Sequence, residues 1–282
     1  MVFKRGLMED DKKKPVTPVP AATVLLIRDT DQGLEVFMVE RNNRMHFASA
    51  LVFPGGLVDP EDFEERLLSR CDGIEGLSAD EAALRIAGVR ETFEECGVVL
   101  ARHSSAETVL EGDEAQAFYD KYHASLNAGD VEWGEIVERE DLVLCCDRFA
   151  YFAHWITPEG RPKRFDTHFF LARMPRRQHA AHDGNESVQS VWVLPKNAIE
   201  AGERDERNVM FPTRLNLELL DHNGTVEQAM EVTNAREVVT VLPKSKLIDK
   251  NIDHRVMTIP FAAGYGSEKF LVDGGKILPI EE

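Results

Sequence analysis

The chain is 282 residues long, 43% hydrophobic, and carries 50 acidic against 33 basic side chains for a net charge of −17. Such a length buries a sizeable core without dividing cleanly into two domains. The acidic balance argues against nucleic acid as a partner, since non-specific binding rests on many basic phosphate contacts, and no apolar stretch reaches membrane-spanning length.

Residues 1–17 mix basic, acidic and proline residues with no apolar run, which reads as a flexible tail and not a signal peptide. Ala22 to Arg28 predicts a first strand, Asp29 to Gly33 a turn, and Leu34 to Arg41 the returning strand of a hairpin. A loop over 42–50 leads to Phe53-Pro54-Gly55-Gly56, an apolar strand end running into a turn whose glycines let backbone approach a ligand. Residues 63–79 begin amphipathic and then turn through Asp72-Gly73 and Gly76, which predicts a helix and loop, with Ser78 capping the next helix. That helix carries Arg90-Glu91-Thr92-Phe93-Glu94-Glu95-Cys96-Gly97. Beyond it, Val98 to Ala101 predicts a short strand. Residues 104–141 predict an acidic helical excursion, with eleven Asp or Glu against Lys121 and Arg139. Phe149 to Ile156, Thr167 to Arg173 and Val188 to Val193 predict strands, and Lys196 to Ala201 and Arg214 to His222 predict helices. The last sixty residues mix strand-like runs with glycine turns and show no assignable pattern.

In a helix, Glu91, Glu94 and Glu95 fall at i, i+3 and i+4, which puts three carboxylates on one face within about 6 Å of each other. Like charges so placed destabilise an isolated helix, and a hard divalent cation such as Mg²⁺ or Mn²⁺ offsets the repulsion while leaving positions open for water and phosphate. A glutamate-rich helix is more often a solvated face with pairs such as Arg90 and Glu94. Here the glutamates coincide with Arg90 and Gly97, five positions that background usage alone would bring together on the order of once per million windows, and the Gly55-Gly56 turn precedes them.

Together these pieces resemble the signature of the Nudix hydrolases, enzymes that cleave a nucleoside diphosphate linked to another moiety. The family's usual box has a Glu after five residues beyond the second glycine and Arg-Glu after seven more, whereas thirty-three residues separate Gly56 from Arg90 here. Counting forward from Gly56, the first acidic position falls on Asp62; counting back from Arg90, it falls on Ala82, with Glu81 beside it. Residues 63–79 read as an insert in the box, which loop-closure entropy tolerates at little cost. The split box is similar to the branch that includes a peroxisomal coenzyme A diphosphatase. Trp155-Ile156-Thr157-Pro158, Arg164-Phe165-Asp166-Thr167-His168-Phe169-Phe170 and Phe211-Pro212-Thr213-Arg214 extend the resemblance over about 18–222.

The resemblance implies an α/β (α+β) fold, with a Nudix-type mixed β-sheet sandwiched between helices and an inserted helical segment. The Nudix domain is expected at 18–222 with its box at 55–98, followed by a C-terminal extension, 223–282, packed on the domain with no role assigned. It implies Mg²⁺ or Mn²⁺ held by Glu91, Glu94, Glu95 and the Gly55 carbonyl. Glu91, Glu94 and Arg90 are expected to carry catalysis, with Glu186 the candidate general base and Arg41, Arg44, Gly56 and Asp62 the substrate contacts. Asp62 has a plainer reading as a turn or cap residue. The implied reaction is hydrolysis of coenzyme A or acyl-CoA to 3′,5′-ADP and (acyl-)phosphopantetheine. ADP-ribose or a dinucleoside polyphosphate is the second reading, and a non-catalytic ligand-sensing or interaction module the third.

Lys163 and Arg164 are further candidates for phosphate contact, and His46 is a candidate loop ligand. His154 and His168 sit in apolar strand contexts and read as bonded sheet-face residues. Cys71, Cys96, Cys145 and Cys146 show no disulfide or zinc spacing, so reduced thiols are expected. With no leader and no Ser-Lys-Leu ending, the expected location is cytoplasmic. The expected partner is a small nucleotide-linked diphosphate, without nucleic acid or membrane, and a homodimer is left open.

Overall fold

The computed structural model describes residues 16–41, 50–181, 187–249, 254–273 and 276–280. The tail proposed for 1–17 falls mostly outside them. From the N-terminus, β1 (Val19–Thr30) and β2 (Gly33–Arg41) form the expected hairpin, and β3 (Ala50–Val52) and β4 (Gly55–Leu57) pair with β2 and β1 respectively. Then come α1 (Glu65–Leu68), β5 (Cys71–Asp72), α2 (Ala79–Cys96), β6 (Ala101–His103), α3 (Gly112–Asn127), α4 (Trp133–Arg139) and β7 (Leu142–Cys145). Strands β8 (Phe149–Ile156), β9 (Phe165–Arg173) and β10 (Ser187–Val193) precede α5 (Pro195–Glu203), α6 (Phe211–Asp221) and α7 (Val226–Ala235). The chain closes with β11 (Thr240–Val241), β12 (Lys244–Asp249), β13 (His254–Thr258), β14 (Lys269–Asp273) and β15 (Lys276–Pro279).

The main sheet is mixed, in the order β10-β2-β1-β9-β8-β11, with β3 on β2 and β4 on β1. Parallel pairing of β1 with β9 runs from Val19–Phe165 to Ile27–Arg173. The run Val24-Leu25-Leu26-Ile27 is fully buried, because helices cover both faces of its sheet and alternation gives way to continuous apolarity. On one face Val24, Leu26 and Phe170 pack with Phe93 of α2, Phe118 of α3 and Trp133 of α4. On the other, Leu25, Ile27 and Phe169 pack with Leu215 and Leu220 of α6 and Ala229 of α7. The expected sheet between two helical layers is what the structure contains. Among the described residues, no helix is long and apolar enough to cross a membrane.

Three segments differ from the sequence expectation. Residues 98–100 are buried but not a strand, which begins only at Ala101. Gly97 ends α2 in the left-handed region at φ 69°, and the Val99 N–H then donates to the Gln178 side chain at 3.0 Å instead of to a neighbouring strand. The acidic excursion is two helices, broken after Asn127 near Gly129 at φ 73°. The insert has only four residues of helix, and its β5 pairs in parallel with β7. Insert and excursion therefore form one lobe: Arg66 reaches Glu132 at 2.6 Å, Arg70 reaches Asp141 at 2.9 Å, and Leu67 and Trp133 are fully buried. Burying two such side chains contributes roughly 1.5–3 kcal/mol each, more than the exposed ion pairs at its rim.

The C-terminal segment, unreadable in sequence, forms α7 and a four-stranded antiparallel sheet, β12-β13-β14-β15. Met257, Phe270 and Ile277 bury one face of that sheet in the second core, while Leu247, Ile248 and Leu278 stay exposed. Apolar residues on both faces of short strands explain why no alternation was visible.

Candidate active site

Helix α2 is placed by its ends and by its small residues. The Ser78 hydroxyl accepts from the Glu81 N–H and the Glu81 carboxylate accepts from the Ser78 N–H at 2.9 Å, a reciprocal cap. Glu81 is thereby consumed at the exposed start of the helix, far along it from the other glutamates. At Gly88 an added Cβ would lie 3.1 Å from the Phe149 ring, so the glycine lets α2 lie close against the sheet. This close packing delivers Arg90, Glu91, Glu94 and Glu95 to the β4 turn.

Arg90 is the hub. It is 2% exposed, and its Nε and Nη2 donate to the two oxygens of Asp62 at 3.1 and 2.9 Å. Nη1 donates to Glu91 at 2.9 Å and Glu94 at 3.2 Å, and Nη2 also to the Leu57 carbonyl at 2.9 Å. Asp62 is fully buried and also accepts from the Asp59 N–H at 2.8 Å. Of the two ways of counting the split box, the forward one therefore finds the acid that faces Arg90. Expected as a substrate contact, Asp62 instead has no surface to offer a substrate, because both oxygens are spent on Arg90 and Asp59. Burial works against the Arg90 charge, and the Asp62 carboxylate outweighs it, so the guanidinium pKa is raised.

The glycine turn is built against the acids. The Gly55 N–H donates to Glu95 at 2.9 Å. A Cβ on Gly56 would meet the Glu91 carboxyl at 2.4 Å, and one on Gly55, at φ 149°, would meet the Ala22 carbonyl at 2.3 Å. Burial, followed by the charges of Glu94 and Glu95, pushes Glu91 up to about 8 against the pull of Arg90. Burial also raises Glu94. One guanidinium, already bound to Asp62, is thus shared by Glu91 and Glu94, while Glu95 accepts from the Gly55 N–H. Carboxylate oxygens are hard donors, which suit Mg²⁺ or Mn²⁺ once deprotonated. Their oxygens do not all lie within 4.8 Å of one another, because Glu91 and Glu94 are turned to Arg90 and Glu95 to Gly55.

On its other side the same turn opens into a cavity of about 770 Å³, within the range of roughly 300–1,000 Å³ usual for small-molecule sites. Gly55 and Gly56 line it, with Phe53, Trp155, Thr167, Phe169 and Phe211 from the sheet and α6. Met257, Val272 and Ile277 of the C-terminal sheet close it, and Arg161 and Arg255 bring positive charge. Trp155 is fixed by donating to Tyr265 OH at 2.9 Å, which donates to Asn216 at 2.8 Å. Most of the stretches singled out in the sequence after the box thus meet in one place. The exception is Arg164, a proposed phosphate contact: it is buried and donates to the carbonyls of Thr157 and Val16 at 3.0 and 2.8 Å. Lys163 is exposed. Arg161 and Arg255 were not singled out, and neither stands in a motif that marks it. Arg44, His46, Glu186 and the side chain of Arg41 lie outside the described residues. All four cysteines are free thiols.

A family model described as the NUDT19 Nudix domain matches residues 69–218, a little over half the chain. The match includes Arg90 and the three glutamates and begins after Asp62. A curated relative, the acyl-coenzyme A diphosphatase NUDT19 of Gallus gallus, is 28% identical over 221 residues, covering 61% of this chain and 57% of its own length. Its namesake from Xenopus laevis is 22% identical over 205 residues, covering 59% and 54%. The chain thus spans little more than half the length of these relatives. Among solved structures, a NUDIX hydrolase from Alicyclobacillus acidocaldarius superposes with a TM-score of 0.60 at 27% identity, over 76% of this chain and 96% of that one.

Proposed function

The chain belongs to the NUDT19 Nudix domain family, and from that premise we propose that it is a metal-dependent diphosphatase acting on coenzyme A or an acyl-CoA. The observation that carries this reading is the two-sided Gly55-Gly56 turn. Glu91 and Glu95 stand against it on one side, and the apolar cavity opens on the other. A diphosphate lying across the turn would put its charge at the glutamates and its pantetheine and acyl arm against Trp155, Phe169 and Phe211.

Glu91, Glu94 and Glu95, with the Gly55 carbonyl, are the residues that would hold Mg²⁺ or Mn²⁺. Such an ion neutralises charge on the non-bridging oxygens and lowers the pKa of a bound water. Arg90 acts through the glutamates: its bidentate bond to Asp62 fixes the guanidinium, and Nη1 aims Glu91 and Glu94. Water oxygen bonds to one phosphorus as the bridging P–O bond breaks, and its proton passes to a base, for which Glu186 is the candidate. The products are 3′,5′-ADP and (acyl-)phosphopantetheine. The presence of Glu91, Glu94 and Glu95 together on α2 favours hydrolysis over a ligand-sensing role for the fold.

The test is a panel of coenzyme A, acyl-CoA, ADP-ribose and a dinucleoside polyphosphate, incubated with purified protein and Mg²⁺ or Mn²⁺ and resolved by chromatography. Adenosine 3′,5′-diphosphate from acyl-CoA is expected as the fastest-forming product. The Met257→Trp variant, which fills the cavity, should raise KM for acyl-CoA more than for ADP-ribose. Preferential cleavage of ADP-ribose would move the assignment to the second reading, and no hydrolysis of any member would overturn the enzyme.

A further inference from the structure

Three side chains that the proposed hydrolysis does not use converge on the α2 face of the sheet. His154 on β8 stands opposite His168 on β9, in a row that continues through Ala22 to Gly56. Asp166 precedes His168 by two residues on β9, so strand alternation puts both on one face. One ligand atom from each of the three lies within 4.8 Å of the others. His154 Nε2 is 2.5 Å and His168 Nε2 is 3.8 Å from the same oxygen, Asp166 Oδ1. The far nitrogen of each ring is also held: His168 Nδ1 lies 2.8 Å from Tyr151 OH, and His154 Nδ1 lies 2.8 Å from Thr240 Oγ1.

We propose that His154, Asp166 and His168 form a binding site for a transition-metal dication of the Zn²⁺ class, separate from the glutamate site. Two imidazole nitrogens and a carboxylate oxygen suit zinc and not magnesium. An outer partner on Nδ1 that turns Nε2 inward is how metal-binding histidines are oriented, and here both rings have one. Bonds of 2.0–2.1 Å in a tetrahedral site put ligand atoms roughly 3.3 Å apart. The 2.5 Å contact must therefore open and the 3.8 Å contact close, each by less than about 1 Å, which side-chain rotation supplies. The three side chains are half-buried, so an ion can enter and a fourth position stays open to water.

Two strand spacings, roughly 10 Å, separate His168 from Gly56. Paired ions of two-metal sites sit about 3.5–4 Å apart, so this ion is not a second member of the hydrolytic centre. It would tie β8 to β9 where their adjacent residues, Trp155 and Thr167, line the cavity on the opposite face. Its role is a clamp on that wall.

The test uses the full chain stripped of metal and titrated with Co²⁺, then Zn²⁺. The expected result is one equivalent of Co²⁺ showing the intense visible bands of a four-coordinate site, displaced by Zn²⁺. X-ray absorption of the zinc form should show imidazole scattering. His168→Phe, which keeps an aromatic ring on the sheet, should weaken binding by more than about tenfold, and Asp166→Asn should do likewise. Glu94→Gln should leave the bands unchanged. Unaltered binding in His168→Phe, or loss in Glu94→Gln, would overturn the proposal. So would thiolate charge-transfer absorption, which would place the ion instead at the second cluster, Asp72, Cys145 and Asp147. Absence of four-coordinate bands in the unmutated chain would overturn it without reference to any variant.

Discussion

The buried position of Glu91 makes the metal-free protein sensitive to pH in a direction that can be stated in advance. Its carboxyl, ordinarily near 4.5, is pushed up to about 8 by burial and by the neighbouring Glu94 and Glu95. Between those values the folded protein keeps a proton that the unfolded chain releases, so stability is greatest below pH 4.5 and is lost as pH rises towards 8. The slope from this group approaches about 1.4 kcal/mol per pH unit, or roughly 2.7 kcal/mol between pH 5.5 and 7.5. Glu91→Gln removes the titration but keeps an oxygen to accept from Arg90. Urea unfolding of metal-free protein at pH 5.5, 6.5 and 7.5 should therefore show wild type losing stability relative to Glu91→Gln by that amount. Saturating Mg²⁺ or Mn²⁺ should reverse the trend, because the cation binds the deprotonated carboxylate. Parallel pH profiles for the two proteins, with and without metal, would refute the argument.

Glu94→Gln and Glu95→Gln should each lower turnover on the order of 10²-fold while the protein stays folded, through loss of ligand charge at the activating ion; near-wild-type rates at saturating Mg²⁺ would remove both from the ligand set. Asp62→Asn leaves Arg90 without its paired charge and should cost about 3 kcal/mol or more in urea unfolding, whereas Glu81→Gln, at an exposed cap, should cost no more than about 1 kcal/mol; the opposite ranking would mean that Asp62 is not the acid of the box. Gly56→Ala drives a methyl into the Glu91 carboxyl and should weaken Mn²⁺ binding in a calorimetric titration. Gly55→Ala meets backbone at φ 149° and should lower the melting temperature as well, and wild-type behaviour of both would contradict the packing at the turn.

Much of the site is written locally. The spacing of Glu91, Glu94 and Glu95 needs only helical periodicity, and the Ser78 cap marks the start of the helix from sequence alone. The Gly55-Gly56 turn was equally legible, since glycine is the residue for a backbone pressed against its neighbours. Other features depend on contacts between residues distant in the chain. Asp62 and Glu81 were both open readings of the first acidic position until α2 packed on β4 and turned Arg90 towards Asp62, twenty-eight residues away. Arg164 looked like a phosphate ligand, and only the approach of the Thr157 and Val16 carbonyls shows it spent on backbone. The insert and the acidic excursion were read as separate segments because β5 and β7 carry no mark of their pairing. The C-terminal sheet was illegible because its short strands are apolar on both faces, and its place over the cavity follows from burial against α6 and β8. Local chemistry is set by side chains a few residues apart, which a sequence displays directly. Which buried charge meets which partner, and what closes a cavity, is decided by desolvation and packing among distant segments, which only the folded chain brings together.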